Sequence, residues 1–320
     1  MARHYAFNGD ADGLCALQQL RLAEPGDATL VSGVKRDIEL VRRVRAAPGD
    51  LVTVLDVSLD RNRADVARLL DAAVSIRYFD HHYAGERPHD ARFEAHIEEG
   101  SDVCTSAIVD RYLGGRHVAW AAVAAFGDGL PALGHALARR SGLDAEATLI
   151  VERLGTRLNY NAYGETVADL HFDPIALAQL MRPYGDPLDF VRECDVYHRL
   201  GVGYEHDMNE ARALTPLREL PGATLVVLPD EPWARRSSGV LANELVLAHP
   251  GAAIAILSPR SAGGYTVSVR VPAKRAIDAA AFCRTFDTGG GRKLAAGIDH
   301  LPQADLDQFV ARFALHFATH

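Results

Sequence analysis

Cysteine is scarce in this sequence. There are 4, Cys15, Cys104, Cys194 and Cys283, with no CxxC spacing, which speaks against a structural zinc site and against a disulfide framework. Long apolar runs are missing too, since the longest, near Val118 to Phe126, is too short to span a bilayer. The first residues, MARHYAFNGD, hold no apolar stretch of the kind a secretory signal needs. The sequence is therefore expected to stay in a reducing cytoplasm, away from membranes. Positive charge is not in excess. Lys plus Arg number 34 against 42 Asp plus Glu, a net charge of −8, which argues against a broad platform for duplex DNA. A small anionic substrate in a locally basic pocket is compatible with that balance. GxSxG, GxxxxGKS/T and a strand-placed GxGxxG are absent, so hydrolase-elbow, P-loop and dinucleotide-binding readings lack their signatures.

What is present fits a globular α/β chain of about two domains. The 320 residues are 48% hydrophobic and 24% charged. His4 to Phe7, Leu51 to Val57 and Ser75 to Phe79 read as buried strands, with helical spacing at Leu14, Leu17 and Leu20 and over Asp65 to Ala73. Such alternation predicts a parallel sheet. Thr105 to Leu113, His117 to Phe126 and much of 135–200 read as helical. The stretch 199–220, rich in Gly, His, Glu and Pro, is the expected linker between a domain over 1–198 and a smaller α/β domain over 221–320. In the latter, Tyr265, Val267, Val269 and Val271 alternate with Thr266, Ser268 and Arg270, so one strand face is apolar and the other offers a hydroxyl and a guanidinium. Leu306, Phe309, Val310, Phe313 and Phe317 predict an amphipathic terminal helix.

The acids fall where strands end. Asp10 and Asp12 follow the first strand, Asp56 ends the second, and Asp80, His81 and His82 end the third. Ligands of open parallel sheets bind outside the carboxyl ends of strands, so these groups should share one crevice. Bare carboxylates about 4 Å apart repel by roughly 4 kcal/mol per pair at an effective dielectric near 20, so such a cluster needs protons or a divalent ion. Mixed Asp and His donors suit Mn²⁺, whereas an all-oxygen set would suit Mg²⁺. Two such ions can clamp a phosphoryl group and activate water. A single Asp at a strand end is more often a helix cap. The joint pattern is much harder to reach by chance. NGDADG also starts like a Ca²⁺ loop, but Gln19 stands where the bidentate Glu belongs.

With these residues in view, the sequence resembles the DHH phosphoesterases that carry a C-terminal DHHA1 domain. The match comprises Asp10-Ala-Asp12-Gly13, Asp56, Asp80-His81-His82, Asp128 in FGDG, VSVR (267–270) and GGGRKLAAG (289–297). The resemblance implies a metal-binding catalytic domain over 1–198 and a substrate-binding domain over 221–320. It implies that Asp10 and Asp56 hold one Mn²⁺, and that Asp12, Asp56, His81 and Asp128 hold a second, with Asp56 bridging. Asp80 would orient a histidine, and His82 would face the phosphate or the leaving oxygen. Ser268, Arg270, Gly289, Gly290, Gly291, Arg292 and Lys293 would grip the substrate, because glycine backbones admit an anion and Arg supplies a bidentate fork.

Two positions depart from the family. Asn8 stands where His or Asp is usual, and a neutral amide is a poorer ligand for the first metal. Arg292 stands where the Gly-rich motif usually has His. The segment LNYNAYGE (158–165) has no counterpart, and its Tyr160 and Tyr163 read better as packing residues than as a platform for a base.

The expected activity is metal-dependent hydrolysis of a small phosphorylated substrate, a short single-stranded oligonucleotide or a nucleotide, by attack of a metal-bound hydroxide on phosphorus. The alternative is a degenerate nucleotide- or anion-binding protein with little turnover, kept open by Asn8. A long-strand exonuclease is disfavoured by the charge. The sequence leaves the oligomeric state open, a homodimer included.

Overall fold

Five parallel strands form the sheet of the first half in the computed structural model, which describes residues 1–275 and 277–318. They are β1 (Arg3–Phe7), β2 (Thr29–Val31), β3 (Leu51–Leu55), β4 (Ser75–Asp80) and β5 (Phe93–Ile97), in the order β2-β1-β3-β4-β5. The three inner strands are buried almost throughout, as their apolar runs require. Alternate side chains feed two cores. Tyr5, Phe7, Leu55 and Phe79 join one, while Ala6, Val52, Val54, Ile76 and Tyr78 join the other. Helix α1 (Ala11–Ala23) leads from β1 towards β2, and α2 (Leu59–Asp71) leads from β3 to β4. The strand order reverses between β1 and β3, so the turns leaving these two strands flank the crevice where such sheets bind ligands. Asn8, Asp10 and Asp56 lie on those turns.

Seven helices follow: α3 (Thr105–Tyr112), α4 (Val118–Gly127), α5 (Pro131–Arg140), α6 (Ala145–Asn161), α7 (Pro174–Met181), α8 (Pro187–Glu193) and α9 (Val196–Arg212). Helix α4, Ala-rich and buried over Trp120–Gly127, packs on α1, α5 and α6 and ends at Asp128. Its approach to α6 is set by two glycines. A Cβ at Gly155 would overlap the Val123 carbonyl oxygen and lie 2.9 Å from the Gly127 nitrogen, both backbone atoms that cannot swing aside. Gly155→Ala should therefore cost about 1–3 kcal/mol and lower the melting temperature by roughly 3–10 °C. A calorimetric scan checks this, and an unchanged melting temperature would show that α4 and α6 can part freely.

The chain divides into two compact units, Met1–Val202 and Gly203–His320. The segment 199–220 differs from the expected linker, because α9 runs on to Arg212. Leu200, Tyr204, Met208 and Ala211 recur along it every three or four residues, buried or half-buried. That stripe sustains a helix through a stretch whose Gly and His residues read as irregular.

The second unit has a six-stranded sheet. Its strands are β6 (Arg218–Leu220), β7 (Ala223–Val227), β8 (Ala253–Pro259), β9 (Tyr265–Arg270), β10 (Gly289–Gly291) and β11 (Ala295–Leu301), in the order β10-β11-β9-β8-β7-β6. Only the β7–β8 pair is parallel. Helix α10 (Pro232–Ala248) connects that pair, α11 (Ala279–Cys283) precedes β10, and α12 (Leu306–Phe317) closes the unit. Phe309, Phe313 and Phe317 of α12 are buried with Phe282 against the Val267 and Val269 face, each contributing about 1.5–3 kcal/mol. No helix among the described residues is long and apolar enough to cross a membrane.

Candidate metal centre

The acids predicted at strand ends do converge, and each is fixed by local structure. Asp10 is the N-cap of α1. Its Oδ1 accepts from the backbone N–H groups of Asp12, at 3.0 Å, and Gly13, at 3.1 Å. Asp12 caps a different helix. Cys104, at the start of α3, makes no side-chain cap, and Asp12 takes over that role: Oδ2 accepts from Thr105 N and Oδ1 from Ser106 N, each at 2.7 Å. Asp56 follows β3 with φ +59°, a left-handed conformation costing on the order of 1 kcal/mol that Asp tolerates better than most residues. Thr105 Oγ1 donates to its Oδ1 at 3.0 Å. Thr105 thus secures both Asp12 and Asp56.

Imidazoles complete the cluster. Asp80, the fully buried last residue of β4, accepts from His82 Nδ1 at 2.7 Å. That bond fixes the His82 tautomer and leaves Nε2 as the second ring nitrogen of a side chain that is 41% exposed. His81 Nε2 lies 3.5 Å from Asp56 Oδ1 and 3.8 Å from Asp128 Oδ2. Asp12, His81 and Asp128 each place a donor atom within 4.8 Å of the others, and so do Asp56, His81 and His82.

The electrostatics call for a cation. Burial first, then the facing Asp56 charge, push Asp12 well above the usual carboxylate range. Burial and the Asp10 charge push Asp56 up to about 7. Burial opposes charge on His81, yet Asp56, Asp12 and Asp128 outweigh it and raise the imidazole to about 10. Asp128 Oδ2 is buried without a hydrogen-bond partner. Hard oxygens, an imidazole nitrogen and an unsatisfied carboxylate suit a divalent metal ion.

Asp10 lies outside both groups, but its carboxylate meets that of Asp56, whose pKa it also raises. Asn8 is buried, its Nδ2 donates to the Lys35 carbonyl at 3.2 Å, and its Oδ1 accepts from Asp10 N at 3.2 Å. Asp10 Oδ2 is paired with Lys35 Nζ. Lys35 was not foreseen from the sequence. Its ammonium also donates to Asn159 Oδ1 at 3.0 Å and lies 3.9 Å from Asp128 Oδ1. Burial disfavours its charge, but Asp10, Tyr163 and Asp128 more than offset this and hold its pKa above the ordinary lysine value. One signal was available. Of 34 basic residues only Lys35, Lys274 and Lys293 are lysine, so a lysine in this chain is an unusual choice. Tyr160 is fully buried and its hydroxyl meets His171 Nε2 at 2.8 Å, in keeping with a packing role.

In the second unit, the glycine run forms the edge strand β10, paired with β11. A Cβ at Gly289 would overlap the Cys283 carbonyl oxygen, and one at Gly291, where φ is +128°, would lie 2.9 Å from the Ala295 oxygen. Gly290 has open space instead. Register places Gly290 beside Gly297 and Gly297 beside Ser268, a row nearly bare of side chains. Arg270 stands at its end on the same polar face of β9, with Nη1 donating to Ser268 Oγ at 2.9 Å and Nε to Asn243 Oδ1 at 3.1 Å. Arg292 and Lys293 are exposed in the turn between β10 and β11, whose Leu294 carbonyl accepts from Val271 N at 3.0 Å.

No family model and no curated protein sequence matches the chain. Solved structures do. An exonuclease RecJ bound to manganese superposes with a TM-score of 0.65 at 18% identity, covering 98% of this chain and 89% of the other. RecJ from Thermus thermophilus in complex with Mn²⁺ gives 0.59 at 17% identity, with 98% of this chain covering 51% of that one. The pGpG-specific phosphodiesterase PggH from Vibrio cholerae gives 0.55 at 14% identity and 97% coverage of both chains. The resemblance read from the motifs is thus matched in three dimensions along nearly the whole chain, and the fold of this protein is the one these DHH-family proteins share.

Proposed function

We propose that the chain is a metal-dependent phosphoesterase acting on a small phosphorylated substrate. The observation that carries this reading is the convergence of Asp12, Asp56, His81 and Asp128, with His82 beside them, at the ligand-binding end of a parallel sheet. These residues are the ones that would hold the ion, and the manganese in two of the structural neighbours favours Mn²⁺. When bound, such an ion supplies Lewis-acid polarisation of a phosphoryl oxygen and an acidified water. The chain's own residues supply the rest. Thr105 holds Asp12 and Asp56 in place. Asp80 accepts from His82 Nδ1 and would stabilise the doubly protonated ring, from which the Nε2 proton can pass to the leaving oxygen, leaving the neutral Nδ1–H tautomer. Within the second unit, Arg270, Ser268, Gly290 and the exposed Arg292 and Lys293 are the groups that would bind an anionic group of the substrate. The net charge of −8 favours a short substrate over a long polyanion. The neighbours act on nucleic acid ends or on pGpG, which points to a short oligonucleotide or nucleotide phosphoester.

The test is a panel of dinucleotides, bisphosphorylated nucleotides, cyclic dinucleotides and polyphosphate, assayed with Mn²⁺. Saturable release of phosphate or mononucleotide from one class is the expected result. Tight binding of a nucleotide without turnover anywhere in the panel would establish the alternative, a binding protein, which the Lys35–Asp10 pair favours.

A further inference from the structure

We propose that this centre is built for a single divalent ion, with the ammonium of Lys35 standing where a second ion would sit. The inference rests on the metal-dependent reading above and concerns the acid that reading leaves over. Asp10 belongs to neither of the two donor groups. One of its oxygens caps α1 and the other is paired with Lys35, and the carboxylate borders the metal-binding group through Asp56. The same ammonium reaches Asn159 and faces Asp128, so three oxygens from three separate segments surround one compact positive charge. That is an arrangement a cation's ligands would make.

The neighbouring side chain has changed to match. Asn8, between β1 and Asp10, is neutral, and both of its polar atoms are used, one within the turn and one on the segment after β2. Its oxygen accepts from Asp10 N and its amide donates to the Lys35 carbonyl. Rather than offering a ligand, Asn8 clasps the backbone of the residue that supplies the charge.

Lys35 is also held from the far side, and this gives LNYNAYGE a purpose. Asn159 binds Nζ, the Ala162 carbonyl accepts from Lys35 N at 2.9 Å, and the Tyr163 ring lies 5.8 Å from Nζ. Asn161 anchors the segment in turn, exchanging hydrogen bonds with both backbone groups of Phe172. A quarter of the lysine side chain remains exposed, yet hydrogen bonds and ion pairs fix both its head and its backbone. Lysine suits the task better than arginine, because an ammonium is a point charge with radially placed donors, whereas a guanidinium is a flat fork. A second dication at Asp10 would meet that charge head-on. The ammonium neutralises Asp10 permanently and activates no water, so catalysis falls to one ion.

Metal-stripped full-length protein, titrated with Mn²⁺ by calorimetry and checked by metal analysis after gel filtration, should bind one ion per chain. The double variant Lys35→Met with Asn8→Asp should bind two and show the electron paramagnetic signature of coupled manganese. Asn8→Asp alone should still bind one, because the lysine remains. Two ions on the wild-type chain would overturn the inference and leave the phosphoesterase reading standing. None at millimolar Mn²⁺ would overturn that reading and the inference with it. A double variant that keeps its circular dichroism but takes one ion would show that Lys35 does not occupy a second ion's place. If the double variant does not fold, the wild-type and Asn8→Asp stoichiometries still decide, since two ions on either would refute the proposal.

Discussion

Removing divalent metal is expected to abolish phosphoester hydrolysis, and Asp56→Ala should reproduce that loss with Mn²⁺ present. Asp56 is the acid best placed to do so. Its Oδ1 lies 3.5 Å from His81 Nε2 and 3.9 Å from His82 Nδ1, and the backbone is held left-handed to put it there. Losing a partner that merely orients a metal ligand typically costs about 10–100-fold. Thr105→Val, which removes the hydroxyl on Asp56 while keeping the backbone N–H on Asp12, should fall in that range. Asp56→Ala and His81→Ala should exceed about 100-fold in kcat and weaken Mn²⁺ binding in calorimetry. The gradation separates ligand from support. Full turnover by metal-stripped protein in excess chelator would refute metal dependence, and equal losses in Thr105→Val and Asp56→Ala would refute the division of roles.

Much of this centre was legible because it depends on residues adjacent to buried strands. Asp10, Asp56 and Asp80-His81-His82 each follow an apolar run long enough to announce β1, β3 or β4, and a parallel sheet brings such ends together whatever lies between. The two edge strands were invisible for the opposite reason. Thr29–Val31 is three residues long and partly exposed, and Phe93–Ile97 alternates apolar with charged residues without a buried run. Helix α2 begins at Leu59, earlier than the pattern from Asp65 implies, since its first two turns are mostly Asp, Arg and Asn. Lys35 could not be placed by any local pattern, because the partners that fix its head, Asp10 and Asn159, are 25 and 124 residues away. Asn8 and LNYNAYGE were the two unexplained features of the sequence, and both turn out to contact this one lysine. Local departures from a motif were thus visible while the compensation that unites them was not.

Arg270→Ala should weaken substrate binding by roughly 10- to 150-fold while leaving Mn²⁺ stoichiometry unchanged. The guanidinium is already oriented by Asn243 from α10 and by Ser268 from its own strand, so little side-chain freedom is lost when an anion arrives. Beside it, Ser268, Gly297 and Gly290 leave the sheet face almost without side chains. Packing explains Gly289 and Gly291, where a Cβ would strike backbone, but not Gly290, which has open space. A bare strip ending at a fixed cation lets backbone N–H groups and a fork approach one phosphate together. Losing a charge-assisted hydrogen bond of this kind costs about 1.5–3 kcal/mol, which sets the expected range. Arg270→Lys should recover only part of it, because the ammonium keeps the charge and loses the fork. Gly290→Val should raise KM by filling the strip, whereas a purely structural strand would accept a β-branched residue there without effect on KM. Arg292→His, on the exposed turn beyond, should shift preference within the substrate panel rather than destroy turnover. Steady-state kinetics on the best substrate decide the matter. An Arg270→Ala enzyme with wild-type KM and kcat would return the second unit's glycine strand to a structural role and leave substrate recognition to the first unit's own residues.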